Sequence, residues 1–150
     1  MNIKIEAAAR MFAVEYGAIE LSELISWADA IILKVENPPT ELFDISLAKS
    51  VTQTVSALNE LGAGALNDKS ELSKVVFEIF YNYLNSENPN YERIAKALFD
   101  MCMEELVPDT ESGKYMISYW DELDIPELGH YGNSAEDKSS MKNFLKQKMR

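Results

Sequence analysis

The sequence predicts an all-α protein: a single-domain bundle of about six to seven helices built from antiparallel helical hairpins. Two observations carry this. Apolar residues recur at the spacing of one helix face along most of the chain, and the only alternating stretch, Asn2 to Glu6, is too short to stand as a strand against the helical segment it opens. Helix-starting and helix-ending residues also fall between those segments. With 150 residues and 47% hydrophobic composition, the chain has the material for one folded core, and a disordered chain is not expected.

Taken in order, Ile5, Ala8, Ala9, Phe12, Ala13 and Tyr16 mark a helix over residues 4–16. Leu21, Leu24, Ile25, Ala28, Ile31, Ile32 and Val35 form one stripe, with Glu23, Asp29, Lys34 and Glu36 largely off it. Trp27 lies beside that stripe, at the core edge. Phe43, Leu47, Val51, Val55 and Leu58 predict a helix over 41–61. Its Ser and Thr content competes for backbone hydrogen bonds and favours a break near Ser50, and Gly62 and Gly64 close it. Leu72, Val75, Val76, Ile79, Phe80, Tyr83 and Leu84 follow, introduced by Asp68 and Glu71 at capping-box spacing. Tyr91, Ile94, Ala95, Leu98, Met101 and Cys102 repeat the pattern, with Asn88 as N-cap and Pro89 in the first turn.

A basic helix over 134–150 ends the chain. Ser134 is placed to cap it, Glu136 and Asp137 occupy its first turn, and Lys146, Lys148 and Arg150 its end, each complementing the helix dipole. Its stripe of Met141, Phe144, Leu145 and Met149 is expected to dock on the body. Glu36-Asn37-Pro38 and Glu87-Asn88-Pro89 stand 51 residues apart, so the helices of 21–61 and 70–106 read either as a repeated hairpin or as two uses of a common helix start.

Charge excludes several functions. The chain carries 25 acidic and 14 basic residues, a net charge of −11, which repels phosphate backbones and argues against direct nucleic-acid binding. Residues 108–137 hold −7 of this and residues 138–150 return +5. A basic amphipathic tail could meet a membrane, but the anionic body beside it opposes anionic lipid. The longest uncharged run, Ser50 to Asn59, is ten residues and half polar, too short to span a bilayer. A lone cysteine and an N-terminal region charged at Lys4, Glu6 and Arg10 point to a cytoplasmic protein.

Catalytic and cofactor readings find little support. Cys102 sits on a helix stripe with no signature of a nucleophile around it. Asp124, Glu127 and His130 have i, i+3, i+6 spacing, but one histidine cannot supply a di-iron pair of motifs, and one Cys with one His cannot complete a zinc set. Gly62-Ala63-Gly64 lacks the Lys-Ser or Lys-Thr of a phosphate loop and follows a helix. Glu104 and Glu105 are adjacent and diverge on a helix, which leaves them as a solvated face. No enzyme activity, metal or cofactor is expected.

A binding surface remains. Asp109, Glu111, Asp121, Glu122, Asp124 and Glu127 alternate with Tyr119, Trp120 and Tyr131, the composition of an interface in which aromatics anchor and carboxylates steer. An alternative makes Tyr115 or Met116, Tyr119, Trp120 and Leu123 the buried stripe of another helix; both readings stay open.

Tyr16-Gly17, Leu21 to Ile25, Trp27-Ala28-Asp29, Pro38-Pro39 and Leu42 to Leu47 resemble small acidic all-helical bacterial proteins of uncharacterised function, including immunity proteins of toxin–immunity pairs, over about residues 16–48. The resemblance implies a protein that neutralises one cognate basic toxin domain, such as a nuclease, by masking its cleft, without catalysis of its own. Another class of function, a helical adaptor or scaffold holding a peptide or helix between its hairpins, is the alternative.

Overall fold

Each predicted helical segment contains α-helix in the computed structural model, which describes residues 2–123 and 135–150. Among the described residues there are eight α-helices, two short 3-10 turns and no strand. The count exceeds the expected six to seven because the segment 41–61 is two helices. The chain divides into two compact units, Met1–Asn67 and Asp68–Arg150.

The first unit holds α1 (Ile3–Glu15), α2 (Leu21–Lys34), α3 (Thr40–Ser46) and α4 (Val55–Leu61). Asn2 caps α1, its side chain accepting from the Lys4 and Ile5 amides at 3.0 and 3.4 Å. The helix ends at Gly17, whose φ of 64° opens the left-handed turn in which Gly17 N–H reaches Val14 O at 3.1 Å and Ala18 N–H reaches Ala13 O at 2.9 Å. Glu20 and Glu23 form a reciprocal capping box at the start of α2. That cap was not legible in sequence, because Glu is a poor N-cap residue.

Leu24, Ala28, Ile31, Leu42, Ile45 and Leu58 make the centre of this unit. Alanines on α1 let its neighbours come close. A Cβ added to Gly62, which ends α4, would lie 3.0 Å from the backbone N and Cα of Ala8, closer than ordinary van der Waals contact, so the close approach of α4 to α1 favours glycine there. Trp27 packs on the edge of the core as its position beside the stripe predicted. The Arg10 guanidinium lies 4.6 Å over its ring and pairs with the buried Glu6 at 2.9 Å. The Ser46 hydroxyl donates to Asp29, tying α3 to α2.

The break near Ser50 is present. Residues 47–51 leave the helix, a 3-10 turn (Thr52–Thr54) follows, and the Thr54 hydroxyl donates to Val51 O at 2.6 Å while Ser50 Oγ accepts from Gln53 N–H at 3.3 Å. Side-chain oxygens take up the backbone's partners, which is the competition that makes such residues poor helix formers. The break overturns the expected stripe. Leu42 and Ile45 are the buried side of α3, whereas Phe43 and Leu47 are exposed, because the helical phase linking 43 and 47 to 51, 55 and 58 is interrupted.

The second unit holds α5 (Lys69–Leu84), α6 (Tyr91–Met103), α7 (Ser112–Leu123) and α8 (Ala135–Lys148). Asp68 caps α5 through the Glu71 amide at 3.3 Å. The cap of α6 is Asn90, not Asn88: Asn90 accepts from Arg93 N–H at 3.0 Å, while Asn88 takes a left-handed φ of 54° in the preceding turn. Asn tolerates that conformation, and Tyr83 Oη fixes the turn by accepting from the Asn90 amide at 2.8 Å. Phe77 and Phe80 of α5 are fully buried. Phe144 of α8 packs its ring against Phe77, Tyr115 and Tyr119 at centroid distances of 5.5, 5.7 and 5.9 Å.

Here the hairpin arrangement departs from expectation. α6 packs chiefly along α7 and α5 along α8, whereas α5 and α6, sequence neighbours, touch little. In the first unit, α2 and the short α3 do pack on each other. The two Glu-Asn-Pro turns therefore introduce helices of different length and different pairing. No helix of the described residues is long and apolar enough to cross a membrane.

Candidate functional site

The acidic, aromatic segment that begins at Asp109 enters α7, and the structure assigns its residues to different tasks. Asp109 starts the helix. Its carboxylate accepts from the Ser112 amide and the Ser112 hydroxyl, both at 2.9 Å, and from Lys148 Nζ at 2.9 Å. The Lys148 bond, reinforced by Ser112, holds the Asp109 carboxyl down at about 2, and Asp109 in turn raises the Lys148 ammonium above its ordinary value. Asp109, expected to steer a partner, is thus engaged within its own unit.

Tyr119 is a second correction. It was expected among the anchors, yet it is 7% exposed and its hydroxyl donates to Ser140 O at 3.2 Å, so its ring belongs to the contact between α7 and α8. Met116, one turn earlier, is fully buried. The helix therefore needs this face to fix α8, and a tyrosine can fill it only because its hydroxyl finds a carbonyl.

Other residues stay accessible. Glu111 and Tyr115 are exposed, Tyr115 by 55%. Trp120 is half-buried: its ring stands 6.5 Å from Phe99, with Lys96 Nζ 5.4 Å from its centroid, and Lys96 also pairs with Asp100 at 3.0 Å. Trp120 thus combines the two readings left open by the sequence, one side packed and one side accessible. Asp121 and Glu122 lie on α7, with side chains outside the described residues, as are Asp124, Glu127, His130, Tyr131 and Ser134.

Between α7 and α8 runs an open groove of about 830 Å³. Tyr115, Tyr119 and Phe144 line its apolar part, and Glu111, Ser140, Asn143, Gln147 and Lys148 its polar part. A smaller depression of about 320 Å³ beside Trp120 is walled by Asn90, Glu92, Arg93 and Lys96. An aromatic floor with a mixed polar rim suits a peptide side chain or a protein loop.

Sequence reasoning missed Ser112 and Lys148. The Asp109-x-x-Ser112 spacing at the start of α7 is a readable cap signal; Lys148 is not readable, since nothing local relates residues 109 and 148. Arg150 likewise meets Glu78 at 3.1 Å. Part of the positive tail therefore neutralises carboxylates of its own unit.

Cys102 donates weakly to Gly113 O at 3.6 Å, and burial raises its thiol pKa, the reverse of what a nucleophile needs. Among the described residues no group of three or more His, Cys, Asp or Glu side chains could hold a metal ion. No protein-family model, curated protein or solved structure matches the chain.

Proposed function

We propose that this chain is an immunity or inhibitor protein that binds a basic toxin domain, such as a nuclease, and masks its cleft with the acidic end of the second unit. The observation that carries the reading is that α7, inside the segment of charge −7, leaves Glu111 and Tyr115 accessible along its groove with α8, and one side of Trp120 accessible in a separate depression beside α6. Exposed aromatics supply area that is desolvated on binding, and surrounding carboxylates accelerate encounter with a cation-rich surface. Glu111 is exposed on the rim of that groove, while Asp109 is engaged by Lys148 of the tail. The family resemblance of residues 16–48 points the same way.

Co-purification from the native cell, followed by titration of the isolated partner, tests this. One stoichiometric basic protein should be recovered, and one equivalent of the chain should suppress its activity. Glu111→Lys with Trp120→Ala should weaken that complex by about 10-fold or more, chiefly through slower association for the charge change. Recovery of several weak partners of mixed charge, or a partner whose binding ignores both substitutions, would remove the assignment.

A further inference from the structure

The first unit carries a surface that the sequence had assigned to its interior. Phe43 and Leu47 stand one turn apart on the outer side of α3, 44% and 74% exposed, while Leu42 and Ile45 of the same helix are completely buried. Leu47 enters a groove of about 420 Å³ between α3 and α4 that Glu41, Asp44 and Glu60 line without a basic residue among the described lining. None of these three carboxylates has an ion pair among the described residues, in contrast to Glu78 and Asp109, which Arg150 and Lys148 meet. Exposed apolar side chains beside unneutralised carboxylates specify an occupant that is apolar on one side and cationic on its flank.

We propose that the α3–α4 face docks an amphipathic cationic segment of a partner protein. Its apolar side would cover Phe43 and Leu47, and its Lys or Arg side chains would meet Glu41, Asp44 and Glu60, the arrangement by which an amphipathic helix sits in a groove. A second copy of the chain fits poorly, because a two-fold contact would set these carboxylates against each other. An anionic lipid surface or nucleic acid is repelled by the same three groups. The face lies in Met1–Asn67 and α7 in Asp68–Arg150, so this inference holds or fails apart from the function proposed above.

The test uses the full chain, labelled for amide NMR, titrated with a leucine–lysine peptide of about 18 residues that forms one apolar helix face. A scrambled peptide of identical composition and charge, without that face, is the control. Saturable shifts should centre on α3 and α4, with the scrambled peptide and the Phe43→Ser/Leu47→Ser chain each binding about 10-fold more weakly. Both replaced side chains are exposed, so circular dichroism should show the helices retained. Shifts centred on α7, equal binding of both peptides, absence of saturable binding, or unchanged affinity of the double variant would each overturn the proposal. So would self-association of the free chain, or its binding to phosphatidylcholine vesicles, if either disappears in the double variant.

Discussion

Gly17 and Glu105 occupy the same position of the same helix-ending turn. After α6, Glu105 N–H reaches Cys102 O at 3.0 Å and Leu106 N–H reaches Met101 O at 2.8 Å, the pattern that Gly17 and Ala18 make after α1. Both central residues have left-handed φ, 64° at Gly17 and 60° at Glu105, but only glycine takes it without a steric penalty. Glu105→Gly should therefore stabilise the protein by about 1 kcal/mol and Gly17→Ala destabilise it by about as much, read from urea midpoints at unchanged slope. Trp27 offers a different test. Its indole nitrogen is buried with no hydrogen-bond partner among the described residues. Trp27→Phe keeps most of the apolar contact and removes that donor, so it should cost under about 1 kcal/mol, whereas Trp27→Ala should cost roughly 2 kcal/mol or more. Equal losses in the two variants would show that the N–H is satisfied in solution. Trp27 at the core edge was legible from its place beside the α2 stripe; the fate of Tyr119 was not, since a helix stripe does not say which ring ends against another helix and which ends against solvent.

At the scale of elements, the local rules succeed where a cap or a breaker acts within a few residues. Asp68 capping α5 and Gly62 ending α4 are of this kind, and so is the break near Ser50. Asn88 shows their limit: two asparagines flank Pro89, and the bond from the Asn90 amide to Tyr83 selects which one caps. The joint between α7 and α8 yields a pH prediction. Asp109 titrates at about 2 in the folded chain against an ordinary value of 3.8, so its contribution to stability is present above the ordinary value and is lost as pH falls through about 2. The stability difference between the parent chain and Asp109→Asn should be constant near neutral pH and shrink between about pH 4 and about pH 2. Salt should reduce it as well, because the Asp109 side chain is 42% exposed. A difference that persists undiminished at pH 2 would assign the effect of Asp109 to its geometry rather than its charge.

Across the whole molecule, the charge divides as −5 in residues 1–67, with 4 basic against 9 acidic residues, and −6 in residues 68–150, with 10 against 16. Acidity is thus shared by both units, and the local excess on 108–137 is offset by the tail of its own unit. The grouping into two units predicts separable stability. Phe77→Ala, which empties a fully buried site in the second unit at a cost of about 3–5 kcal/mol, should speed amide exchange across α5, α6 and α7 far more than across α1, α2 and α4. Uniform acceleration would show that the two units open as one. By itself the sequence determined the helical class, most helix limits and the stripes of α2, α5 and α6, because periodicity and caps act over a few residues. Only the tertiary structure decided that α6 pairs with α7, that Lys148 and Arg150 fold onto Asp109 and Glu78, and that Phe43 and Leu47 face outward. Each of those outcomes depends on which distant helix faces meet, and a helix's own periodicity marks the face to be buried without naming the surface that will bury it.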